Sequence, residues 1–236
     1  MKKFALIVAG GSGSRMGSEI PKQFLELCGK PVLMHTLEIF NDFDPECRLI
    51  LVLPALQQSF WKELCRKHAF VLAHQVVAGG ETRFQSVKNG LSCIDDDGVV
   101  FIHDGVRPLV SRETLEKCLK TAQEKGNAIP VLPVTESLRK AEGKRNIAVD
   151  RSLFFSVQTP QTFRSDQILK AYDCSFDPAF TDDASVAENA GFEINMIDGN
   201  RENIKITTPA DMIIAGAFML RRTMQFLKDI RLPFTG

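Results

Sequence analysis

The chain has 236 residues, of which 44% are hydrophobic, so it can bury the core of one large domain. Its 29 lysines and arginines balance its 29 aspartates and glutamates, and this zero net charge argues against a nucleic-acid partner or a membrane partner. Six scattered cysteines without a CxxC pair, and the lack of a long apolar run or signal peptide, predict a cytoplasmic enzyme with reduced thiols.

The first predicted element is a buried strand at residues 4–9 that leads directly into a glycine-rich turn. The turn reads Gly10-Gly11-Ser12-Gly13-Ser14-Arg15-Met16-Gly17, and Lys22 follows five residues later. A glycine-rich turn at the carboxyl end of a strand lets backbone N–H groups close on phosphates. Arg15 and Lys22 add two positive charges, so the segment predicts a nucleoside triphosphate site.

Two better-known glycine-rich loops do not fit this turn. A dinucleotide fingerprint requires Gly or Ala at the position of Met16. A P-loop lysine would follow Gly17 directly, where Ser18 stands. Since such a turn can also be a simple tight bend, the phosphate interpretation depends on Arg15 and Lys22.

Strand and helix patterns alternate through the first 130 residues or so. Short apolar runs predict strands at 4–9, 48–53, 70–77, 98–103 and 127–132. The segments between them predict helices near 31–41, 56–68, 82–93 and 111–124. This alternation is typical of an α/β fold of the Rossmann-like type, with a mostly parallel twisted sheet and helices on both faces.

The alternation breaks at residues 134–158, which are polar and contain a turn signal at Gly143. Two short strands around that turn would form a projecting β-hairpin arm. A lone hairpin is marginal in water, so the arm either packs on a second subunit or is an ordinary surface excursion. The residues alone leave both alternatives open.

The chain after the arm predicts further helices and one more strand. Helices are expected at 165–173, 181–191 and 209–228, with Pro209 in the first turn of the last helix, and a strand at 192–197. We therefore expect one domain over residues 1–236, with 134–158 as an inserted arm.

A second group of candidate site residues follows the strand at 98–103. Asp104 at the strand tip could hold a divalent cation or orient a ribose, and Arg107 could bind a phosphate. Alternatively, Asp104 only caps the next turn, and His103 is expected to be a packed strand residue. Because ligands of parallel sheets bind at the carboxyl ends of strands, these residues should face the glycine-rich turn.

Other polar clusters have both structural and functional interpretations. The segment from Gly79 to Ser86 could offer N–H groups and a hydroxyl to a nucleotide base, or be a plain strand-to-helix turn. Asp182 and Asp183 stand at a predicted helix start, where capping is the ordinary role. The acidic run at 95–97 precedes its strand and is expected to be a solvated turn.

These motifs together resemble the 2-C-methyl-D-erythritol 4-phosphate cytidylyltransferases of the non-mevalonate isoprenoid pathway. The resemblance runs from residue 4 to about 220, and its motifs are Ala9–Gly17, Pro21–Phe24, Ala78–Arg83, His103–Pro108, Val149–Arg151, Gln158–Gln161 and Asn203–Thr207. It implies the fold of the nucleotide-diphospho-sugar transferases and a homodimer joined by the 134–158 arm. It also implies the transfer of a cytidylyl group from CTP to methylerythritol 4-phosphate, with release of pyrophosphate and a requirement for Mg²⁺.

The resemblance also implies residue roles. It assigns CTP to Ala9, Gly10, Gly11, Gly13, Arg15, Lys22, Gly80, Glu81, Ser86 and Asp104. It assigns the acceptor alcohol phosphate to Asp104, Arg107, Arg151, Thr159 and Lys205. Arg15 and Lys22 would stabilise the transition state, Arg151 and Lys205 would position the acceptor, Arg151 would serve the neighbouring subunit, and Asp104 would lie by the metal.

One departure leaves the acceptor open. Many members of the family have two alanines after the aspartate, where Gly105 and Val106 stand here. This form is similar to that of ribitol-5-phosphate cytidylyltransferases, whereas the sequence around Val149-Asp150-Arg151 is closer to the methylerythritol enzymes. The further alternatives are a non-catalytic nucleotide-binding regulator and a glycosyltransferase, although the latter would require an acidic metal pair at a strand end.

Overall fold

The computed structural model describes residues 1–10 and 20–229 of the chain. Within them the strands are β1 (Lys2–Val8), β2 (Glu26–Leu27), β3 (Lys30–Pro31), β4 (Arg48–Leu53), β5 (Gln75–Ala78), β6 (Gly98–Asp104), β7 (Asn127–Pro133), β8 (Leu138–Glu142), β9 (Arg145–Val149), β10 (Phe155–Val157), β11 (Gln161–Arg164) and β12 (Met196–Asp198). The α-helices are α1 (Val32–Phe43), α2 (Gln58–Lys67), α3 (Arg83–Leu91), α4 (Arg112–Lys125), α5 (Ser165–Ala171), α6 (Asp183–Asn189) and α7 (Pro209–Asp229).

A mixed, mostly parallel sheet forms the centre of the described part of the chain. Its strand order is β10–β7–β11–β6–β1–β4–β5, and β12 pairs with β7. Strands β6, β1, β4 and β5 run parallel, so their carboxyl ends meet at one edge. This arrangement confirms the predicted fold class and brings Val8 beside Asp104 in the register.

Helices cover both faces of the sheet, as the apolar strands predict. Along β1, Ala5 and Ile7 enter one core, whereas Phe4 and Leu6 enter the other. The first core is completed by α1, α2 and α4, and the second by α3, α5 and α6. Since every residue of β6 is buried, the tip of this strand is held by packing on both sides.

Two parts of the sheet differ from the sequence prediction. The strand expected at 70–77 begins only at Gln75, because the apolar run before it lies at the surface, where Val71 is 93% exposed. Strand β11 inserts antiparallel between β6 and β7 and was not predicted, because its buried Gln161 and Thr162 break the apolar pattern. The strand expected at 192–197 is limited to β12.

The predicted hairpin is present in the arm segment. Strands β8 and β9 pair from Leu138 with Val149 to Glu142 with Arg145, around a turn in which Gly143 has a φ of 63°. The chain then forms a 3₁₀ turn at Arg151–Leu153 and returns to the sheet through β10. Several apolar side chains here are exposed, namely Ile147, Leu153, Phe154, Phe155 and Val157.

The remaining helices agree with the predicted order. The last one, α7, begins at Pro209 and packs through Ala215 on a third core. No helix in the described ranges combines the length and apolar character needed to span a membrane. All six cysteines are unpaired thiols, and burial raises the pKa of both Cys47 and Cys118 to about 12.

Candidate active site

A cavity of about 320 Å³ opens at the edge where β1 and β6 end. Its lining residues come from five segments of the chain: the end of β1, the short turn that contains Lys22, the start of α3, the end of β6 with the turn after it, and the segment before α7. They are Val8, Ala9, Gly10, Lys22, Gln23, Gly80, Glu81, Thr82, Arg83, Ser86, Asp104, Val106 and Lys205. The fold therefore brings together most of the residues that were predicted to bind a nucleotide.

The start of the glycine-rich turn lines this cavity. Ala9 is held in place because its N–H donates to the Val52 carbonyl at 3.0 Å and its carbonyl accepts from Gln23 Nε2 at 3.1 Å. Lys22 is only 8% exposed, so it is a nearly buried cationic residue in the cavity wall. The predicted contacts Gly11, Gly13 and Arg15 lie outside the described residues.

The segment before α3 forms another part of the cavity wall. The Gly80 N–H donates to Ser86 Oγ at 3.1 Å, which folds the turn onto the first turn of the helix. Thr82 caps α3 by accepting from the Gln85 N–H at 3.1 Å, and the Thr82 N–H in turn donates to Gln85 Oε1 at 3.2 Å. The cap fixes the amino end of α3 at the cavity, where its N–H groups favour an anion.

Asp104 is the centre of the charged groups at the cavity. Its Oδ2 accepts from Lys205 Nζ at 3.0 Å and from Arg107 Nε at 3.2 Å. Burial would raise the pKa of this carboxyl group, but the charges of Lys205, Arg83 and Arg107 outweigh burial and hold the pKa well below its usual range. Asp104 is therefore ionised at neutral pH, and the surplus of positive charge suits a phosphate-bearing ligand.

Arg83 is a cavity residue whose anchoring the sequence did not predict. Its guanidinium forms a two-pronged ion pair with the fully buried Asp183, with N–O distances of 2.8 and 2.6 Å. The Tyr172 hydroxyl donates to the same carboxylate at 2.7 Å. The neighbouring Asp182 caps α6 as expected. Only the tertiary structure shows that these two adjacent aspartates have different roles.

A family model for the 2-C-methyl-D-erythritol 4-phosphate cytidylyltransferases matches residues 4–222 of the chain. The chain belongs to this family. The match includes every segment that lines the cavity, and it confirms the resemblance inferred from the sequence motifs.

Relatives and solved structures agree with the family assignment. The protein named 2-C-methyl-D-erythritol 4-phosphate cytidylyltransferase from Bacteroides fragilis is 52% identical over 219 residues, which is 93% of this chain and 100% of the relative. The Porphyromonas gingivalis protein of the same name is 53% identical over 216 residues, 91% of this chain and 96% of the relative. The crystal structure of the Thermus thermophilus protein of that name superposes with a TM-score of 0.73 at 30% identity, covering 92% of this chain and 98% of that one.

Three residues predicted to contact the acceptor do not line the cavity. The Arg107 guanidinium donates to Asp104 Oδ2 at 3.2 Å and to the Asn203 carbonyl at 2.8 Å. Thr159 is buried and bonds to the Asp104 N–H at 3.0 Å. Arg151 is exposed on the arm and donates to the Thr135 carbonyl.

The departure after the aspartate has a packing reason in this member of the family. A Cβ at Gly105 would stand 2.8 Å from Ala9 Cβ and 3.0 Å from Leu33 Cδ1. Since real Cβ atoms almost never approach so closely, glycine lets the turn after β6 lie against the end of β1. Val106 then closes one side of the cavity.

The acidic residues in the described ranges form no preassembled metal cage. No group of three or more His, Cys, Asp or Glu side chains in those ranges has metal-binding geometry. The acidic run at 95–97 is a solvated turn, with Asp95 bound to Arg48 and Asp96 bound to Lys2, both at 2.5 Å. Glu81 and Asp104 are the carboxylates among the lining residues.

Proposed function

We propose that this protein transfers the cytidylyl group of CTP to 2-C-methyl-D-erythritol 4-phosphate, giving 4-diphosphocytidyl-2-C-methyl-D-erythritol and pyrophosphate. The observation that carries the proposal is the convergence of Lys22, Lys205 and Asp104 on one cavity at the strand ends. A regulator that only binds a nucleotide would not require a nearly buried lysine beside a second cationic cluster. The names of the relatives support the choice of substrates.

The reaction is an in-line displacement at phosphorus. A phosphate oxygen of the acceptor attacks the α-phosphorus of CTP, the bond from that phosphorus to the bridging oxygen breaks, and pyrophosphate leaves. The protein contributes position and charge rather than covalent chemistry. Lys22, together with Arg15, balances the negative charge that grows on the pentacoordinate phosphorus in the transition state.

The acceptor phosphate is assigned to the Asp104 end of the cavity. Lys205 pairs with Asp104 through its ammonium group, and its side chain is 43% exposed. The remaining N–H groups of this ammonium can therefore bind a phosphate. Asp104 stays ionised at neutral pH, and we assign it to orienting Lys205 and the ribose rather than to proton transfer. The cytidine and its ribose are assigned to Ala9, Gly10, Gly80, Glu81 and Ser86.

The carboxylate of Asp104 also fits a role in holding Mg²⁺. Magnesium prefers oxygen ligands and commonly binds through one or two carboxylates together with substrate phosphates, so no protein cage is needed. Asp104 lies at the cavity and is ionised, and these are the properties that such a ligand needs. When bound, the ion would reduce the negative charge of the triphosphate.

We further propose a homodimer in which the arm of one subunit completes the site of the other. Leu153 is 75% exposed, and Phe154 and Phe155 are each 44% exposed, so the arm presents an apolar surface that a second subunit could bury. Arg151 stands in the same segment, away from the cavity of its own chain. It would bind the acceptor phosphate in the partner site.

The compartment assigned to this activity is the cytoplasm. The six cysteines are all unpaired, which is the state that a reducing compartment maintains. We therefore place the reaction in the cytoplasm.

The test is pyrophosphate release from CTP and Mg²⁺ with two acceptors compared in parallel. Turnover with methylerythritol 4-phosphate but not with ribitol 5-phosphate is expected. Turnover with ribitol 5-phosphate alone would mean that the protein transfers a cytidylyl group, but that the proposed acceptor is wrong. Release with neither acceptor, although CTP binds, would favour a nucleotide-binding regulator and overturn the proposal.

A further inference from the structure

His103 is a buried titratable residue that the proposed reaction does not use. It is the penultimate residue of β6, is 0% exposed, and packs edge-on against Phe40 with ring centroids 5.1 Å apart. Both ring nitrogens have partners: Nε2 lies 3.0 Å from the Arg107 carbonyl oxygen and Nδ1 lies 3.1 Å from Thr159 Oγ1. These two partners therefore determine which nitrogen of His103 donates a hydrogen bond and which accepts one.

The Arg107 carbonyl decides the tautomer. A carbonyl oxygen only accepts hydrogen bonds, so His103 Nε2 carries a proton and donates it to Arg107. The ring is fully buried and its two nitrogens contact a carbonyl and a hydroxyl rather than a carboxylate, so it is neutral and carries no second proton. His103 Nδ1 must then accept, and the hydroxyl of Thr159 must donate to it.

This assignment uses the one proton of the Thr159 hydroxyl. The same oxygen accepts from the Asp104 N–H at 3.0 Å. A continuous relay results, from the Asp104 N–H to Thr159, from Thr159 to His103, and from His103 to the Arg107 carbonyl. The Arg107 N–H also donates to the Asp104 carbonyl at 3.1 Å, and this hydrogen bond closes a turn. The relay begins and ends within that turn.

The relay is also tied to the segment that carries Lys205. Asn203 Nδ2 donates to the Thr159 carbonyl at 2.8 Å, and the Asn203 carbonyl accepts from the Arg107 guanidinium at 2.8 Å. Lys205 follows two residues later and reaches Asp104 Oδ2. Thr159 therefore contacts both backbone segments whose side chains meet at the acceptor end of the cavity.

We propose that His103 and Thr159 are positioning residues that hold the turn from Asp104 to Arg107 against Lys205. The Thr159 hydroxyl acts through His103 and Asp104, and it donates no hydrogen bond to the acceptor phosphate. This inference rests on the proposed function, which assigns the acceptor phosphate to this end of the cavity. The relay itself can be tested without turnover.

The first experiment measures the tautomer directly. Long-range ¹⁵N–¹H spectra of the uniformly labelled protein at pH 7 report which nitrogen of each of the four histidines carries a proton. The His103 signal is assigned by its loss in His103→Asn. A protonated Nε2 with an unprotonated Nδ1 is expected, and either a protonated Nδ1 or a doubly protonated ring would overturn the relay.

The second experiment separates positioning from direct binding. Thr159→Val removes the hydroxyl at constant shape, and Thr159→Ser retains it. In Thr159→Val we expect kcat/KM for the acceptor to fall roughly 10- to 100-fold, as is typical when a supporting group of a site is lost. The dissociation constant for CTP should change much less than kcat/KM for the acceptor, because most of the residues assigned to CTP lie on other segments, and Thr159→Ser should restore most of the loss.

Thr114→Val provides a matched control for the loss of a buried threonine hydroxyl. Thr114 is 2% exposed and bonds to Ser111 and Asn200 at the start of α4, away from the cavity lining. A general packing effect would lower thermal stability in both valine variants. Only Thr159→Val should change the acceptor KM and kcat, so equal kinetic effects in the two variants would overturn the proposal.

A double-variant comparison completes the test. If Thr159 acts through His103, then His103→Asn with Thr159→Val should be about as slow as the slower single variant. If Thr159 bound the acceptor directly, the two losses would multiply, and the proposal would be wrong. If the wild-type protein showed no turnover with either acceptor, the proposed function would be wrong. The ¹⁵N spectra would still show whether the relay exists.

Discussion

The ion pair between Arg83 and Asp183 joins the start of α3, at the cavity, to the start of α6. We predict that Asp183→Asn destabilises the protein markedly. Asp183 is 0% exposed and accepts two hydrogen bonds from Arg83 and one from Tyr172. The substitution keeps the shape and removes the charge. Arg83 would then lose the counter-charge that outweighs its burial and raises its pKa.

The expected magnitude follows from the burial of the two partners. Removing one member of a buried ion pair costs about 3–5 kcal/mol, because the other charge stays in a poorly solvated place. The Arg83 side chain is 32% exposed, so water screens part of the loss, and we expect the lower end of that range. A loss of about 3 kcal/mol corresponds to a fall in Tm of roughly 6–12 °C for a chain of this length.

The assay is urea unfolding followed by circular dichroism, together with thermal unfolding, for Asp183→Asn and Asp182→Asn. Asp182 is the matched control, because it caps α6 and asparagine caps almost equally well, so its loss should be about 1 kcal/mol or less. Equal stability of the two variants would refute the reasoning. So would a fall in kcat for Asp183→Asn with stability unchanged, because that pattern belongs to a catalytic acid.

Further predictions concern the cavity, the strand ends and the arm. Lys22→Ala should lower kcat by about 100- to 1,000-fold with little change in the CTP dissociation constant; equal losses in both would contradict a transition-state role. Arg151→Ala should chiefly raise the KM for the acceptor, and mixing Arg151→Ala with Lys22→Ala subunits should restore activity through heterodimers; no recovery, with heterodimers confirmed, would exclude a shared site. Gly105→Ala should lower stability and kcat together, since its Cβ would meet Ala9 at 2.8 Å; an unchanged Tm would show that the turn adapts. His103 should make stability pH-dependent: the unfolded ring takes a proton near its ordinary pKa of 6.5 and the folded ring only near 4, so the free energy of unfolding should fall by about 3 kcal/mol between pH 6.5 and pH 4. His103→Asn should lack this component, and an identical pH profile in both proteins would refute it.

The sequence by itself determined the elements whose apolar pattern is continuous. Strands β1, β4, β6 and β7 are buried runs, and their alternation with helices predicts the parallel part of the sheet and the edge where ligands bind. The candidate residues Lys22, Asp104 and Lys205 also followed from the sequence, through their place in the motifs that resemble the family. Local chemistry also predicted capping at the Asp182–Asp183 helix start, because a cap depends on residues only three positions apart.

Only the tertiary structure decided the contacts between segments that are distant along the chain. The insertion of β11 depends on pairing with β6 and β7, and its polar residues give no apolar signal. The ion pair of Arg83 with Asp183 joins side chains 100 residues apart, and the relay joins the Asp104 N–H to the Thr159 hydroxyl 55 residues later. Hydrogen bonds of this kind depend on distances of about 3 Å, and a linear pattern of residue types does not contain such distances until the sheet brings the segments together.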